Sequence, residues 1–265
     1  MIKDITIGQY YPTNSVVHKL DPRVKLISTF IFMSSLFIIN QFYPYILVLA
    51  FIISTLKLSK IPVNYILKGL KPIMFIIVFT FAINIFMIPG NTIFEIGPLN
   101  ISDEGLKQGS FMVIRLILLV VGTSLLTLST SPIELTDGIE KLLNPFKKIG
   151  VPAHELAMMM TIALRFIPTL LDETDKIMKA QMGRGADFES KNIISRAKNL
   201  VPLLVPLFIS AFRRADELAM AMEARCYRGG DNRTRMNEIR MDKKDYIAYS
   251  LVIIYIIIII ITRII

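Results

Sequence analysis

Two short stretches of this 265-residue chain carry its most specific chemistry. One reads Gln181-Met182-Gly183-Arg184-Gly185, the other Ala224-Arg225-Cys226-Tyr227-Arg228-Gly229. Each sets an arginine among residues of little bulk at the end of a long, apolar-striped segment. Glycine is the ordinary left-handed cap of a helix, and arginine complements the negative end of its dipole. Those roles account for one such ending. Two in one chain point to a further use, because an unencumbered guanidinium at a helix tip can enter a groove on another protein. There it can pair bidentately with a carboxylate or with backbone carbonyls. Cys226 stands where a glycine would serve the cap, which disfavours a left-handed backbone at 226 and predicts that the cap moves to Gly229 or Gly230.

Other chemistry is excluded residue by residue. No G-x-x-x-x-G-K-[ST] loop occurs, so the chain does not cradle ATP phosphates by that device. His154-Glu155 begins like a zinc-protease motif, but Met158 stands where the second histidine belongs. With His18 and His154 far apart and Cys226 the one cysteine, neither a zinc site nor an intrachain disulfide is expected. Asp172, Glu173 and Asp175 read as a solvated acidic face. The expectation is a non-catalytic chain that binds no metal or cofactor.

The elements that position the two arginines follow from composition and its distribution. The chain is 53% hydrophobic and 19% charged, with net charge +9. Val24–Asn40 holds one charge, Lys25, and Tyr246–Thr262 holds none. Crossing ~30 Å of hydrocarbon takes ~20 largely apolar residues. Candidate spans lie at about 24–40, 42–58, 72–89, 111–129 and 246–262, with the first two also short enough to form one re-entrant hairpin. Lys3, Lys19 and Arg23 precede the first span, and Lys57, Lys60, Lys68 and Lys71 separate the second from the third. Lys107 alone lies between the third and fourth. This alternation predicts a cytoplasmic N-terminus and an outer C-terminus. The basic balance therefore reports topology in a lipid bilayer, and nucleic acid is not an expected partner. Arg115 lies inside the fourth span and either snorkels to the outer interface or pairs within the bundle. No signal peptide is expected, since the first 20 residues lack an apolar core.

Residues 130–245 hold 19 basic and 16 acidic side chains and read as three helices. Ser131-Pro132-Ile133-Glu134 fits a capping box with proline at the first helical position, and Pro145 and Gly150-Val151-Pro152 end that helix. A second runs from about Ala153 to Met182, with Leu156, Met159, Ala163, Phe166, Leu170 and Ile177 on a stripe and Pro168 predicted to kink it. A third runs from about Asn192 to Cys226, with Leu204, Phe208, Ala211, Ala215, Leu218 and Met222 on its stripe; Pro202 and Pro206 predict a broken, bent entry. Methionines concentrate here, a residue suited to core gaps and to surfaces that take several partners. If the two long helices fold back on each other, their arginine tips lie at least ~30 Å apart, too far for one small-molecule site. The fold class expected is all-α: a polytopic membrane helix bundle, with four spans in 1–129, long amphipathic helices in 130–245 and a fifth span in 246–265.

The whole chain resembles the transmembrane T component of energy-coupling factor transporters, the EcfT family. The resemblance begins at His18-Lys19-Leu20-Asp21-Pro22-Arg23-Val24-Lys25-Leu26 and continues through Gly150-Val151-Pro152 and Leu164-Arg165-Phe166-Ile167-Pro168. It is sharpest at the two endings. In that family each of two cytoplasmic coupling helices of an L-shaped part ends in an Ala-Arg-Gly motif, and each arginine docks on one ATPase of a dimer. The matching positions are Gly183-Arg184-Gly185 and Ala224-Arg225-Cys226, each departing by one residue, with Gln181, Tyr227, Arg228 and Gly229 as neighbours in supporting places. The resemblance implies two ABC-type ATPase partners, homo- or heterodimeric, which hold the ATP and magnesium. It also implies a small membrane-embedded S component that captures a vitamin or other micronutrient, one or several interchangeably. Met159, Phe166, Leu170, Leu204, Phe208 and Met222 are the residues expected to hold that subunit. A permease dedicated to one substrate, of the cobalt, nickel or biotin type, is the alternative within the family, and a non-transporting membrane scaffold the alternative outside it.

Overall fold

The computed structural model describes residues 10–96, 99–188, 192–229 and 240–264. It divides into two compact units, one of Gly8–Gly138 with Glu238–Ile265 and one built on Ile139–Asn237.

The first unit begins with α1 (Pro22–Ile38), where Pro22 occupies the first turn and Asp21 accepts the Arg23 backbone N–H. Next come α2 (Pro44–Ser59), α3 (Val63–Leu70), a 3-10 turn at Lys71–Ile73 and α4 (Met74–Met87). An antiparallel hairpin, β1 (Thr92–Ile96) with β2 (Leu99–Ser102), then leads into α5 (Asp103–Ser129). That hairpin is the one departure from the all-α class among the described residues, and it lies in the link where no strand is expected. The β-branched and aromatic composition of 92–96 suits a ladder. Ser102 closes the link by donating to the Ile88 carbonyl while accepting from the Gly105 N–H, so one side chain ends the hairpin and caps α5. After α5, α6 (Pro132–Leu143) begins with the expected capping box: Glu134 Oε2 accepts the Ser131 N–H and Ser131 Oγ accepts the Glu134 N–H. The last helix described is α9 (Lys243–Ile264).

α5 is the hub of this unit, packed on α1, α3 and α4, and α9 packs on α1. Phe32, Leu36, Val48, Leu118, Leu125 and Ile259 are among the core residues. The Tyr255 ring stacks on Phe51 at 4.5 Å, and its hydroxyl meets Ser35 Oγ at 2.9 Å. The remaining faces of α4 and α9 are exposed and apolar, with Phe75 at 78% and Met87 at 74% exposure. In water such faces would drive aggregation; in a bilayer they meet their own kind. Val63–Met87, Asp103–Ser129, Ala153–Gly183 and Lys243–Arg263 are long and apolar enough to cross a membrane, by length and composition. α1 and α2, at 17 and 16 residues, reach only about 25 Å.

Polar groups tie the start of α9 to the start of α1. Asp245 is buried; it accepts the Asp21 N–H at 2.8 Å and the Asp242 N–H at 2.8 Å. Arg23 forks onto Asp21, and Lys25 Nζ donates to the carbonyls of His18 and Ser129. Arg115 reaches the carbonyl end of α1, donating to Ile39 O at 3.3 Å with its guanidinium over the Phe37 ring. Its charge thus meets the negative end of a helix dipole within the bundle.

The second unit holds the end of α6, a 3-10 turn at Asn144–Ile149 closed by left-handed Gly150, and two long helices, α7 (Ala153–Gly183) and α8 (Ile193–Ala224). α8 runs unbroken through Pro202 and Pro206, against the expected broken entry, and α7 runs unbroken through Pro168. Each proline forfeits one i→i−4 bond. Pro206 frees the carbonyl of Pro202, and Gln181 Nε2 from α7 donates to that oxygen at 3.4 Å. The neighbouring helix thereby supplies the missing donor.

Candidate functional site: two capped arginine tips on a helical hairpin

α7 and α8 pair antiparallel. Gln181 meets Pro202, and Glu173 meets both Ser210 Oγ and, at 3.1 Å, Arg214. The Ser210 hydroxyl, and to a smaller degree Arg214, hold the Glu173 carboxyl below its ordinary value. In this register Arg225 lines a cavity with Met158, Ile162 and Arg165 near the start of α7. Arg184 lies 19 residues beyond Arg165 on the chain, about 30 Å along the helix. The hairpin thus holds its two arginine tips at opposite ends.

The two tips share one backbone design. At the end of α7, Gly185 N–H donates to Met182 O at 3.0 Å and Ala186 N–H donates to Gln181 O at 3.0 Å, with Gly185 left-handed at φ +90°. At the end of α8, Cys226 N–H donates to Glu223 O at 2.8 Å and Tyr227 N–H donates to Met222 O at 3.0 Å, with Cys226 left-handed at φ +56°. Both are Schellman motifs, and in both the arginine is the last residue before the left-handed one. The expected shift of the cap to Gly229 or Gly230 does not occur. Gly229 is left-handed too, at φ +89°, but the helix has already ended five residues earlier, at Ala224. Two cap hydrogen bonds outweigh the ~1–2 kcal/mol that a Cβ costs in this conformation. Gly183, Arg184, Gly185, Ala224, Arg225 and Cys226 are all exposed. Among the described residues, neither the Arg184 nor the Arg225 side chain has a hydrogen-bond or ion-pair partner.

The supporting residues separate into roles. Gln181 supplies a carbonyl to the first cap and an amide to the freed Pro202 oxygen. Tyr227 supplies an N–H to the second cap, and it lines the cavity with Arg228 and Gly229. The residues expected to hold a membrane partner also separate. Met159, Leu204 and Phe208 are exposed, at 55%, 44% and 60%, and Leu170 is half-buried. Phe166 and Met222 line the cavity beside Arg225. The reading of the sequence missed a wider stripe. Val201, Leu204, Val205, Phe208, Ile209 and Phe212 are all exposed and recur at three and four residues along α8. The signal was present in the spacing, but it lies in the segment that Pro202 and Pro206 marked as broken.

His154 Nδ1 meets Glu140 Oε1 at 3.1 Å, which ties α6 to α7. No group of three or more His, Cys, Asp or Glu side chains able to hold a metal is found among the described residues.

The chain is similar to known proteins over nearly its full length. A protein-family model described as "Cobalt transport protein" (CbiQ) matches residues 13–236. Relatives named "Energy-coupling factor transporter transmembrane protein EcfT" occur in several bacteria. The one from Thermosediminibacter oceani is 65% identical over 94% of each chain, and that from Clostridium kluyveri 61% identical over 100% of this chain and 98% of its own. The Bacillus subtilis relative is 52% identical over 92% of this chain and 93% of its own. With helices apolar enough to span a bilayer and matches over nearly its full length, the chain belongs to the EcfT family of energy-coupling factor transporter transmembrane proteins.

Proposed function

We propose that this chain couples a pair of partner ATPases to a small membrane-embedded substrate-binding subunit, with Arg184 and Arg225 as the two ATPase contacts. The observation that carries the reading is the pair of tips. Each presents an exposed guanidinium, without a partner among the described residues, on the same kind of backbone cap. Their separation of about 30 Å suits two subunits of a dimer and no single ligand. ATP and magnesium belong to those partners, and this chain binds no cofactor. Movement of the ATPases against each other is transmitted along α7 and α8, which the Glu173–Ser210–Arg214 and Gln181–Pro202 contacts hold together.

The exposed apolar stripe of α8 and the Met159 region of α7 hold the substrate-binding subunit. Such a face, unpaired within its own unit, is what an apolar partner would cover. Flexible methionine suits exchange among several such subunits more than a permease dedicated to one. The N-terminus and the α7–α8 hairpin face the cytoplasm and the C-terminus faces outward, by the Lys/Arg asymmetry of the links.

The test is the double substitution Arg184→Glu, Arg225→Glu in the full complex. Loss of ATPase from the detergent-purified complex and loss of vitamin uptake are expected. Each tip contributes about 3–5 kcal/mol if its partner carboxylate is left buried and unpaired. Undiminished complex and uptake would overturn the reading.

A further inference from the structure

A cavity of about 590 Å³ lies between α7 and the tip of α8. Arg165 from α7 lines it together with Arg225 and Arg228 from the α8 ending, and among the described residues no carboxylate does. All three arginines are exposed, and among the described residues none of their guanidinium groups has a hydrogen-bond or ion-pair partner. The rest of the wall is largely apolar and includes Phe166, Leu218 and Met222. Three like charges around one concavity repel one another and add to a single positive field, which favours an arriving anion.

We propose that this cavity seats an acidic side chain of the ATPase docked at the Arg225 tip, shared by Arg165, Arg225 and Arg228. An apolar neighbour of that acid then packs on Phe166, Leu218 and Met222. The inference rests on the reading of Arg225 as an ATPase contact. Continuity argues for a protein carboxylate: Arg225 belongs at once to the exposed tip and to the cavity wall. An isolated inorganic anion would leave the apolar wall bare, whereas a peptide segment covers both. The consequence is an asymmetry between the tips. The second is completed by a residue of the other helix, so docking there depends on how α7 and α8 pack. The Arg184 tip is fastened instead through Gln181 to the α8 backbone.

The test uses the complex with its ATPases in detergent, and reads ATPase retention against salt concentration. Arg165→Gln with Arg228→Gln should weaken retention about tenfold at low salt and flatten its salt dependence, with the melting temperature unchanged. Arg165→Glu should weaken it further. Wild-type retention in the Gln variants, alongside loss in Arg225→Glu, overturns the cavity proposal and leaves the tip reading standing. Retention in Arg225→Glu overturns the tip reading itself. Equal loss in Arg165→Gln and Arg165→Glu means lost packing in place of lost charge and overturns the proposal. So does depletion of bound anionic phospholipid, measured as organic phosphate, with ATPase retention unchanged, since the occupant is then a lipid headgroup.

Discussion

Cys226 shows how much one residue's backbone state can decide. Its Cβ sits in the left-handed region that the equivalent Gly185 occupies freely. Cys226→Gly should relieve about 1 kcal/mol of local strain, partly offset by glycine's greater freedom in the unfolded chain. A melting temperature equal to or above wild type and unchanged ATPase retention are expected. Cys226→Val, β-branched and worse in this conformation, should lower both. A second prediction at this scale concerns His18. Its Nε2 lies 3.0 Å from the Tyr11 carbonyl, which must accept, and its Nδ1 lies 2.7 Å from Ser15 Oγ, so a neutral ring with its proton on Nε2 satisfies both contacts. Burial is the largest cause that holds its pKa below the ordinary 6.5. The folded chain therefore resists a proton that the unfolded chain takes. The stability this contributes is present above about pH 6.5 and declines as pH falls through that value. Melting curves on the two sides of that pH should show the loss in wild type, and His18→Gln should show less of it.

At the scale of elements, close approach in the membrane unit and cross-linking in the hairpin make separate demands. A Cβ at Gly122 of α5 would lie 2.6 Å from the buried Phe32 ring of α1. Gly122→Ala should therefore push α1 from α5 and cost about 1–3 kcal/mol, read as a fall in melting temperature. In the hairpin, Glu173 serves two partners across the α7–α8 interface, Ser210 and Arg214. The Arg214 pair is partly exposed and screened, so Arg214→Ala should cost under about 1 kcal/mol. Glu173→Ala removes both contacts and should cost more. The ratio of ATP hydrolysed to substrate imported checks whether that link carries motion as well as stability. A rise in Glu173→Ala is the expected result.

On the scale of the whole molecule, the α7–α8 unit leaves two kinds of surface uncovered by its own described residues. Among the described residues the side chains of Arg184 and Arg225 have no counter-ion, and the apolar face of α8 is left exposed. These needs are separable. Val205→Asn with Phe208→Asn should reduce copurification of the small membrane subunit while ATPase retention stays at wild-type level. Both side chains are exposed, at 52% and 60%, so the chain itself should remain folded. Loss of both partners together would mean that the stripe packs the hairpin and does not dock a subunit.

The sequence by itself determined the class of the protein and where its long helices end. Apolar runs, capping residues and the two arginine endings depend on local composition and short spacing, which need no tertiary knowledge. The Ser131–Glu134 capping box formed as its four-residue spacing requires. Only the tertiary structure decided matters that turn on what lies opposite. Cys226 takes the left-handed cap because two backbone hydrogen bonds outweigh the strain of its Cβ. α8 stays continuous through two prolines, with an amide of α7 reaching one freed carbonyl. Arg165, unremarkable on the polar side of its helix, lines one cavity with Arg225 through antiparallel pairing of residues 60 positions apart in the chain. Local propensity is a property of neighbours in sequence, whereas the partner of a freed carbonyl or a lone charge is a property of neighbours in space.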